Sequence, residues 1–124
     1  MSQLHSLIEE IHYFRIPVNE LEESVRWYTE FLGFTLRRMT EELAVVELKA
    51  GPLLVLVKAD SDSRGHFTRN GQLEFAVGFT SPNIQRFRES LIEHGVEVDE
   101  MKEDNGHLFF HFFDPNGNKL QAHW

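Results

Sequence analysis

The spacing of hydrophobic residues changes period several times along the chain, and each change marks a predicted element. Near the N-terminus, Phe14, Ile16 and Val18 alternate with other residue types, and this two-residue period is typical of a β-strand. A helix is predicted next, over residues 19–33, because its apolar residues recur at helical spacing. Three strands are predicted after it, up to residue 58.

Both ends of this first helix carry recognisable signals. Asn19 is the expected N-cap, with Glu22 reaching back towards it, and Gly33 is expected to end the helix. The apolar stripe consists of Leu21, Val25, Tyr28 and Leu32. A helix with such a stripe must bury it, so we expect the neighbouring strands to form a sheet beneath it.

The same order of elements begins again after a polar stretch. Residues 59–70 show no periodicity and are predicted to form a linker or a lid. The segment QLEFAVGF is predicted to be one strand whose alternate residues face a helix: Leu73, Phe75, Val77 and Phe79. That second helix is expected to begin at Ser81 and Pro82 and to end at Gly95.

The rest of the chain is predicted to consist of strands. These are VEVDEMK, the aromatic segment GHLFFHFF and KLQAHW, with a tight hairpin at Asn116–Gly117, where both central positions tolerate positive φ. The order therefore occurs twice, and it predicts an α+β fold of two βαβββ modules. We expect the modules to form an open, curled mixed sheet around a cleft, with the helices on the convex face. Module 1 would span about residues 9–58 and module 2 about residues 71–124, within a single domain.

The alternation within each strand predicts which side chains face the cleft. On the last strand, Leu120, Ala122 and Trp124 are expected to pack against a helix, which leaves the residues between them for the cleft. The parity of GHLFFHFF is ambiguous because both faces are aromatic, and we place His111 and His107 on the cleft side. The predicted ligand-binding residues are Tyr13, Arg15, Glu74, His111, Gln121 and His123. Polar groups that converge in an otherwise apolar concavity are typical of a small-molecule site.

Glu74 carries the most chemical information in this set. Its neighbours Leu73 and Phe75 are apolar, so a carboxylate between them is either a pocket group or the structural partner of a cation. In a pocket it could act as a general base, whereas pairing with Arg15 would oppose that role. Glu74 is therefore the candidate catalytic residue, and an Arg15-paired structural carboxylate is the alternative.

The amino-acid composition limits which classes of partner the protein can bind and which cellular compartment it suits. Twelve Lys and Arg against twenty Asp and Glu give a net charge of −8, which argues against nucleic acid and anionic membranes. The absence of Cys excludes a disulfide scaffold, a thiolate zinc site and a cysteine nucleophile. No apolar run is long enough to span a membrane, and the first ten residues do not resemble a signal peptide. We expect a cytoplasmic protein with a small-molecule partner.

Three segments of the chain resemble one known family. They are IPVNELEESVRWYTEFLGF, then LEFAVGF with SPNIQRFRESLIEHGVEV, and the C-terminal HFFDPNGNKLQAHW. They are similar to the vicinal oxygen chelate superfamily, which includes glyoxalase I, extradiol dioxygenases, fosfomycin-resistance transferases and bleomycin-binding proteins. The resemblance covers nearly the whole chain and implies the paired-module fold. It is much less specific for a reaction.

The resemblance also implies where a divalent metal would bind. Enzymes of the family commonly use His on the first strand of the first module, His or Gln on the first strand of the second module, and Glu on the last strand. The matching positions here are Tyr13, Glu74 and Gln121, and only Glu74 is a strong ligand for a hard metal. A one-residue bulge could turn His12 inwards and restore a His/Glu/Gln set. We therefore predict no metal and no other cofactor, with a divalent metal as the alternative.

Two kinds of function fit these residues. The first is binding of a small polar molecule in the cleft, with the specific activity unassigned. The alternative is a metal-dependent lyase, dioxygenase or thiol transferase of the same superfamily. A homodimer is expected for either function, because open sheets expose strand edges that need cover. The aromatic helix residues Trp27, Tyr28 and Phe31 also carry more apolar surface than one sheet face needs.

Overall fold

The computed structural model describes residues 6–124, so the first five residues of the N-terminal segment considered above lie outside the described part. In the first half, the elements are β1 (Tyr13–Val18), α1 (Leu21–Leu32), β2 (Thr35–Met39), β3 (Leu43–Glu47) and β4 (Leu53–Lys58). They are followed by β5 (His66–Arg69), β6 (Gln72–Phe75), β7 (Val77–Thr80), α2 (Ile84–Glu93), β8 (Lys102–Asp104), β9 (His107–Phe113) and β10 (Lys119–His123). Neither helix is long and apolar enough to cross a membrane.

The strands form two open, four-stranded mixed sheets with the same topology, and one separate hairpin. The first sheet has the order β1-β4-β3-β2, and β1 runs parallel to β4 while the other pairs are antiparallel. The second sheet has the order β7-β10-β9-β8, and again its only parallel pair joins the first and last strands of the module. The predicted α+β fold of two βαβββ modules is confirmed, although the strands of the two modules form separate sheets rather than one curled sheet.

Both sheets bury one face in a single hydrophobic core, which we call the core face of each sheet. Helix α1 lies between the two sheets, because it packs on the first sheet and its Trp27 ring also stacks on Phe112 of β9, with the centroids 6.3 Å apart. Trp27 is 8% exposed and Tyr28 is fully buried. The aromatic surface that suggested a dimer is therefore largely used within one chain. The opposite face of each sheet, its outer face, lies on the side away from this core.

Both helices begin slightly later than the sequence predicted. Helix α1 begins at Leu21 with Glu20 at the N-cap position, and the Asn19 Oδ1 atom is buried without a hydrogen-bond partner among the described residues. Helix α2 begins at Ile84 rather than beside Ser81. The predicted C-terminal signal of α1 is confirmed, because Gly33 has a left-handed conformation with φ of 81°.

The linker and the first predicted strand of the second module, QLEFAVGF, differ from the prediction. Residues 66–69 of the expected linker form β5, which pairs with β6 in an antiparallel hairpin. The turn is Asn70–Gly71, with φ of 52° and 76°, and both signs suit a two-residue hairpin turn. An Asn-Gly dipeptide is typical of such a turn, so the sequence carries a signal for this hairpin. The predicted single strand QLEFAVGF is interrupted at Ala76, so that β6 belongs to the hairpin and β7 to the second sheet.

The second Asn-Gly pair also forms a different turn from the one predicted. Residues 114–118 connect β9 to β10, and only Gly117 among them has a positive φ. The Gly117 N–H donates to the Asp114 carbonyl at 3.0 Å, which closes a four-residue turn. A hairpin therefore forms here, but its connection is longer than the tight turn that Asn116–Gly117 suggested.

This connection joins the two modules. The Asn118 Nδ2 group donates to the Pro17 carbonyl at 2.9 Å, at the end of β1. The Asn118 Oδ1 atom accepts from the Gly65 N–H at 2.6 Å, just before β5. A Cβ on Gly65 would lie 2.5 Å from Ile16 Cγ1, so the chain passes β1 at a distance that only glycine permits. The β5–β6 hairpin is thus anchored to both halves of the chain.

Candidate functional site

The outer face of the second sheet carries three of the six predicted ligand-binding residues, His111, Gln121 and His123, with Gln121 at its centre. In the register of the sheet, Gln121 lies opposite His111 on β9 and opposite Gly78 on β7. The Gln121 Oε1 atom lies only 3.5 Å from the position that a Cβ on Gly78 would occupy. The predicted parity of β10 is confirmed, because Leu120 and Ala122 are fully buried on the core face.

Phe75 joins this outer face, although the sequence predicted it beneath a helix. Its ring centroid lies 5.4 Å from that of His111, and its Cε2 atom is 3.6 Å from the Cβ position of Gly78. The cause is the break at Ala76, which reverses the alternation, so that Val77 is buried while Phe75 is not. Leu73, also predicted beneath the helix, is 37% exposed.

Glu74 is held by a cation on its own hairpin. Arg69 donates to Glu74 Oε2 from Nη2 at 3.0 Å and from Nε at 3.2 Å. The predicted pairing with Arg15 is wrong, because Arg15 lies exposed on β1 of the first sheet. The alternative of a paired structural carboxylate fits this contact, but the partner is Arg69, because β5 pairs with β6 and brings Arg69 beside Glu74. A role for Glu74 as a general base stays a prediction.

Asp99 is a site residue that the sequence did not suggest. Its Oδ2 atom accepts from His111 Nδ1 at 2.9 Å, and its Oδ1 atom accepts from the His111 backbone N–H at 2.6 Å. Lys102 Nζ also donates to Oδ2, at 2.8 Å. Partial burial by itself would raise the pKa of Asp99, but these three hydrogen bonds outweigh it and lower that pKa below its ordinary value. His111 is therefore oriented by a carboxylate that stays ionised.

His123 lies at the edge of the same face. Its Nδ1 atom is 3.1 Å from Nε2 of His107, and its Nε2 atom is 3.5 Å from Thr80 Oγ1. One of the two imidazoles must donate while the other accepts, so this contact requires at least one neutral ring. Trp124, which the parity placed against a helix, is instead 56% exposed. The parity fails there because Trp124 lies beyond the end of β10.

Tyr13 and Arg15 lie on the outer face of the first sheet. Their parity is confirmed, since Ile16 and Val18 on the same strand are buried on the core face and Tyr13 is 55% exposed. Within residues 6–124, no hydrogen bond, ion pair or ring contact joins Tyr13 or Arg15 to the polar groups around Gln121. A cavity that includes residues of both sheets stays a prediction.

The donor groups at the three family positions do not fit a divalent metal. Glu74 is neutralised by Arg69, Gln121 is a neutral amide, and Tyr13 lies on the other sheet. The register between β1 and β4 runs without a shift from Tyr13 to Val18, so the bulge that would turn His12 inwards is not present there. The described residues contain no cluster of three or more His, Cys, Asp or Glu side chains that could hold a metal ion.

A groove of about 770 Å³ adjoins this face, because Gly78 and Thr80 of β7 also line it. It is lined mainly by apolar groups, including Phe34, Leu54 and Val77, and by residues 47–52 between β3 and β4. None of the predicted ligand-binding residues lines it. Volume alone would favour this groove, whereas the polar groups that could orient a ligand converge on the outer face of the second sheet.

His66 makes the attachment of the β5–β6 hairpin dependent on pH. Its Nδ1 atom accepts from the Lys119 N–H at 2.9 Å, which a protonated ring could not do. Desolvation and, next, the Arg64 cation lower the pKa of His66 below 6.5, although Asp114 partly offsets this shift. The unfolded chain therefore takes up this proton more readily than the folded chain does. The stability from this contact is present above about pH 6.5 and is lost as pH falls through the lowered native pKa.

We expect the protection of the Lys119 amide against hydrogen exchange to fall between pH 7.5 and pH 5.5 more than that of other β10 amides. The variant His66→Gln should lose this extra pH dependence, whereas His12→Gln, at an exposed position, should keep it. Equal pH dependence in the wild type and in His66→Gln would contradict the assignment.

A family model and several known proteins match this chain. The model described as Glyoxalase/Bleomycin resistance protein/Dioxygenase superfamily matches residues 10–122. Among curated proteins, Glutathione transferase FosA of Serratia marcescens is 24% identical over 119 residues, covering 94% of this chain and 82% of that protein.

Several solved structures are also similar to this chain over nearly its whole length. TnmS3, an antibiotic binding protein from Streptomyces sp. CB03234, is 25% identical with a TM-score of 0.79, covering 95% of this chain and 97% of that one. Lactoylglutathione lyase from Agrobacterium tumefaciens is 15% identical with a TM-score of 0.71, covering 94% of this chain and 93% of that one. This second likeness concerns the fold alone.

Proposed function

This chain belongs to the glyoxalase/bleomycin resistance protein/dioxygenase superfamily, and on that premise we propose that it binds a small polar molecule on the outer face of the second sheet. The observation that carries the proposal is the arrangement around Gln121. A neutral amide, an oriented imidazole and the Phe75 ring surround the space left by Gly78. Such a site combines apolar walls with a few hydrogen-bonding groups, as small-molecule sites commonly do.

The charges around this face also support a polar ligand. Lys119, two residues before Gln121 on β10, reaches the Leu73 carbonyl with its Nζ at 2.9 Å and leaves a cation beside the site. The Glu74 carboxylate is paired with Arg69, so it does not repel an anionic group strongly. The description of TnmS3 as an antibiotic binding protein is of the same kind as the function proposed here.

A thiol transferase is the alternative within the superfamily, and the curated relative FosA favours it. The donor groups at the family's metal positions oppose it, as the pairing of Glu74 with Arg69 illustrates. Glutathione is therefore a useful member of any panel of ligands. Saturable binding of glutathione at Gln121 would favour the transferase over a pure binding protein.

Binding can be located by NMR. We expect members of a panel of small alcohols, phenols, carboxylates and thiols, including glutathione, to shift the amide signals of His111 and Gln121, which do not line the apolar groove. Gln121→Leu should weaken the affinity of a hit about tenfold, because a hydrogen bond to a half-buried amide is lost. Gln85→Leu, an equivalent change at an exposed position on α2, should leave it unchanged. Shifts confined to residues 47–52 would place the site in the apolar groove and reject the proposal.

We further propose a homodimer in which Tyr13 and Arg15 of one copy complete the site of the other. Both outer faces lie away from the core of their own chain, and β1 and β7 are edge strands with one unpaired side. An edge-to-edge approach of β1 and β7 from two copies would cover these edges and bring Arg15 near Gly78.

Light scattering should give twice the 14.5 kDa of one chain at micromolar concentration. Co-expressing Arg15→Ala with Gln121→Leu should restore binding in part of the dimers, because one of the two sites then keeps all its wild-type residues. A mass of one chain would reject the dimer, and failure of complementation would reject the shared site.

A further inference from the structure

Asp99 and His111 are joined by three hydrogen bonds, more than are needed to hold two segments of the chain together. The Asp99 N–H donates to the His111 carbonyl at 2.9 Å, in addition to the two hydrogen bonds that its carboxylate accepts from His111. Arg88 Nε on α2 donates to the Asp99 carbonyl at 2.9 Å. The carboxylate and the imidazole are thus held at a fixed distance and angle by bonds from three elements.

This arrangement determines which nitrogen of His111 faces the site. Because Nδ1 donates to the Asp99 carboxylate, the neutral ring carries its lone pair on Nε2. The only buried side-chain nitrogen or oxygen atoms without a partner in the described chain are on Asn19 and Asn116, so Nε2 keeps access to solvent. A carboxylate behind an imidazole with a free Nε2 is the arrangement by which proteins orient a histidine for proton transfer.

The surroundings of His111 suit a ligand that gives up a proton. The Phe75 and Phe109 rings lie 5.4 and 6.1 Å from the imidazole and offer apolar contact to a flat group. Gln121 lies opposite His111 and can donate from its amide to an anion, and the Lys119 cation is on the same face. Asp99 contacts the ring directly, Lys102 contacts the Asp99 carboxylate, and Lys119 lies two residues from Gln121 on the neighbouring strand.

We propose that His111, positioned by Asp99, takes the proton from a weakly acidic hydroxyl or thiol group of a ligand bound beside Phe75 and Gln121. This inference rests on the proposed function and names the ligand class of the same site. The O–H or S–H bond breaks, the proton forms the second N–H of the imidazole at Nε2, and the electron pair stays on the ligand atom. Asp99 balances the imidazolium charge, and Gln121 and Lys119 stabilise the ligand anion.

A coloured phenol tests this proposal directly. The probe is 4-nitrophenol, whose phenolate absorbs visible light while the neutral phenol does not, at a pH slightly below its own pKa. We expect the protein to increase the phenolate absorbance saturably. Asp99→Asn, which removes the balancing charge, should lower the ionised fraction of bound probe as a rise of one pKa unit would, which is about a tenfold change in the ratio of phenolate to phenol. Lys102→Met removes a competing cation from Asp99 Oδ2 and should raise that fraction.

Opposite effects of these two variants would not arise if the contact were only structural, since losing either hydrogen bond would then weaken the fold. As a measurement that needs no variant, ¹⁵N NMR of the wild-type His111 ring should show the tautomer protonated at Nδ1. The tautomer protonated at Nε2 would overturn the proposal. If the probe shifts the amide signals of His111 and Gln121 but keeps the absorbance of the free phenol, proton transfer is rejected while the proposed function stands. If neither the amide signals nor the absorbance changes, both the proton transfer and the proposed binding function are rejected for phenols.

Discussion

Asp114→Ala is expected to lower the free energy of unfolding by about 3–5 kcal/mol, because it removes a buried carboxylate that four hydrogen-bond donors share. The Tyr28 hydroxyl donates to Oδ2 at 2.7 Å and Asn118 Nδ2 donates to it at 2.8 Å. The Asn116 and Asn118 N–H groups each donate to Oδ1 at 2.9 Å. All four donors are buried and would lose their partner at once.

The contact with Tyr28 makes the stability lost with Asp114 larger than the stability lost with a carboxylate in an exposed turn. Burial, and then the charge and hydrogen bond of Asp114, raise the pKa of Tyr28 well above its ordinary value, so its hydroxyl stays a donor. The same carboxylate orients Asn118, which holds the Pro17 carbonyl of the first module. Losing Asp114 therefore weakens the junction between the modules as well as the turn.

Urea denaturation followed by circular dichroism measures this effect, with Asp104→Ala as the matched control. Asp104 is exposed in the β8–β9 hairpin, so its replacement should change stability by less than about 0.5 kcal/mol. Asp114→Asn keeps an acceptor and should fall between the two variants. A loss below about 1 kcal/mol for Asp114→Ala would mean that water replaces the carboxylate, which contradicts the burial seen here.

The sequence could predict the modules because each one repeats the same local signals. Alternation assigned the core faces of β1 and β10, and a capped amphipathic pattern located both helices to within a few residues. These signals depend on a few neighbouring residues and on burial of one face, so they do not require knowledge of the partner strand. The outer-face positions of Tyr13, Arg15 and Gln121 followed from them.

The remaining part of the site depends on contacts between distant segments. Phe75 reaches the outer face only because the strand breaks at Ala76, and alternation continues smoothly through that residue in the sequence. Asp99 is one of several acidic residues in its segment, and its pairing with His111 forms across 12 positions of the chain. Arg69 lies in a stretch without periodicity, and only the hairpin at Asn70–Gly71 brings it beside Glu74. Strand parity could therefore give the central residue of the site, but not the residues that orient and cover it.

The structure places Phe112 where the two modules share their core, and this position carries the second large expected effect. Its ring is fully buried and stacks on Trp27 of α1 at 6.3 Å. Phe87 of α2 meets it edge-on, with the centroids 5.6 Å apart. One side chain thus supports a helix from each module.

Phe112→Ala is therefore expected to cost about 3–5 kcal/mol, the range for emptying a well-packed aromatic site. Phe67→Ala is the matched control, because Phe67 is 52% exposed and its loss should cost less than about 1 kcal/mol. Thermal unfolding should stay a single transition in both variants, since the modules have one core between them. Two separate transitions in Phe112→Ala, with the first module melting at its wild-type temperature, would show that α1 is held by its own sheet alone and that the shared core contributes little to either module.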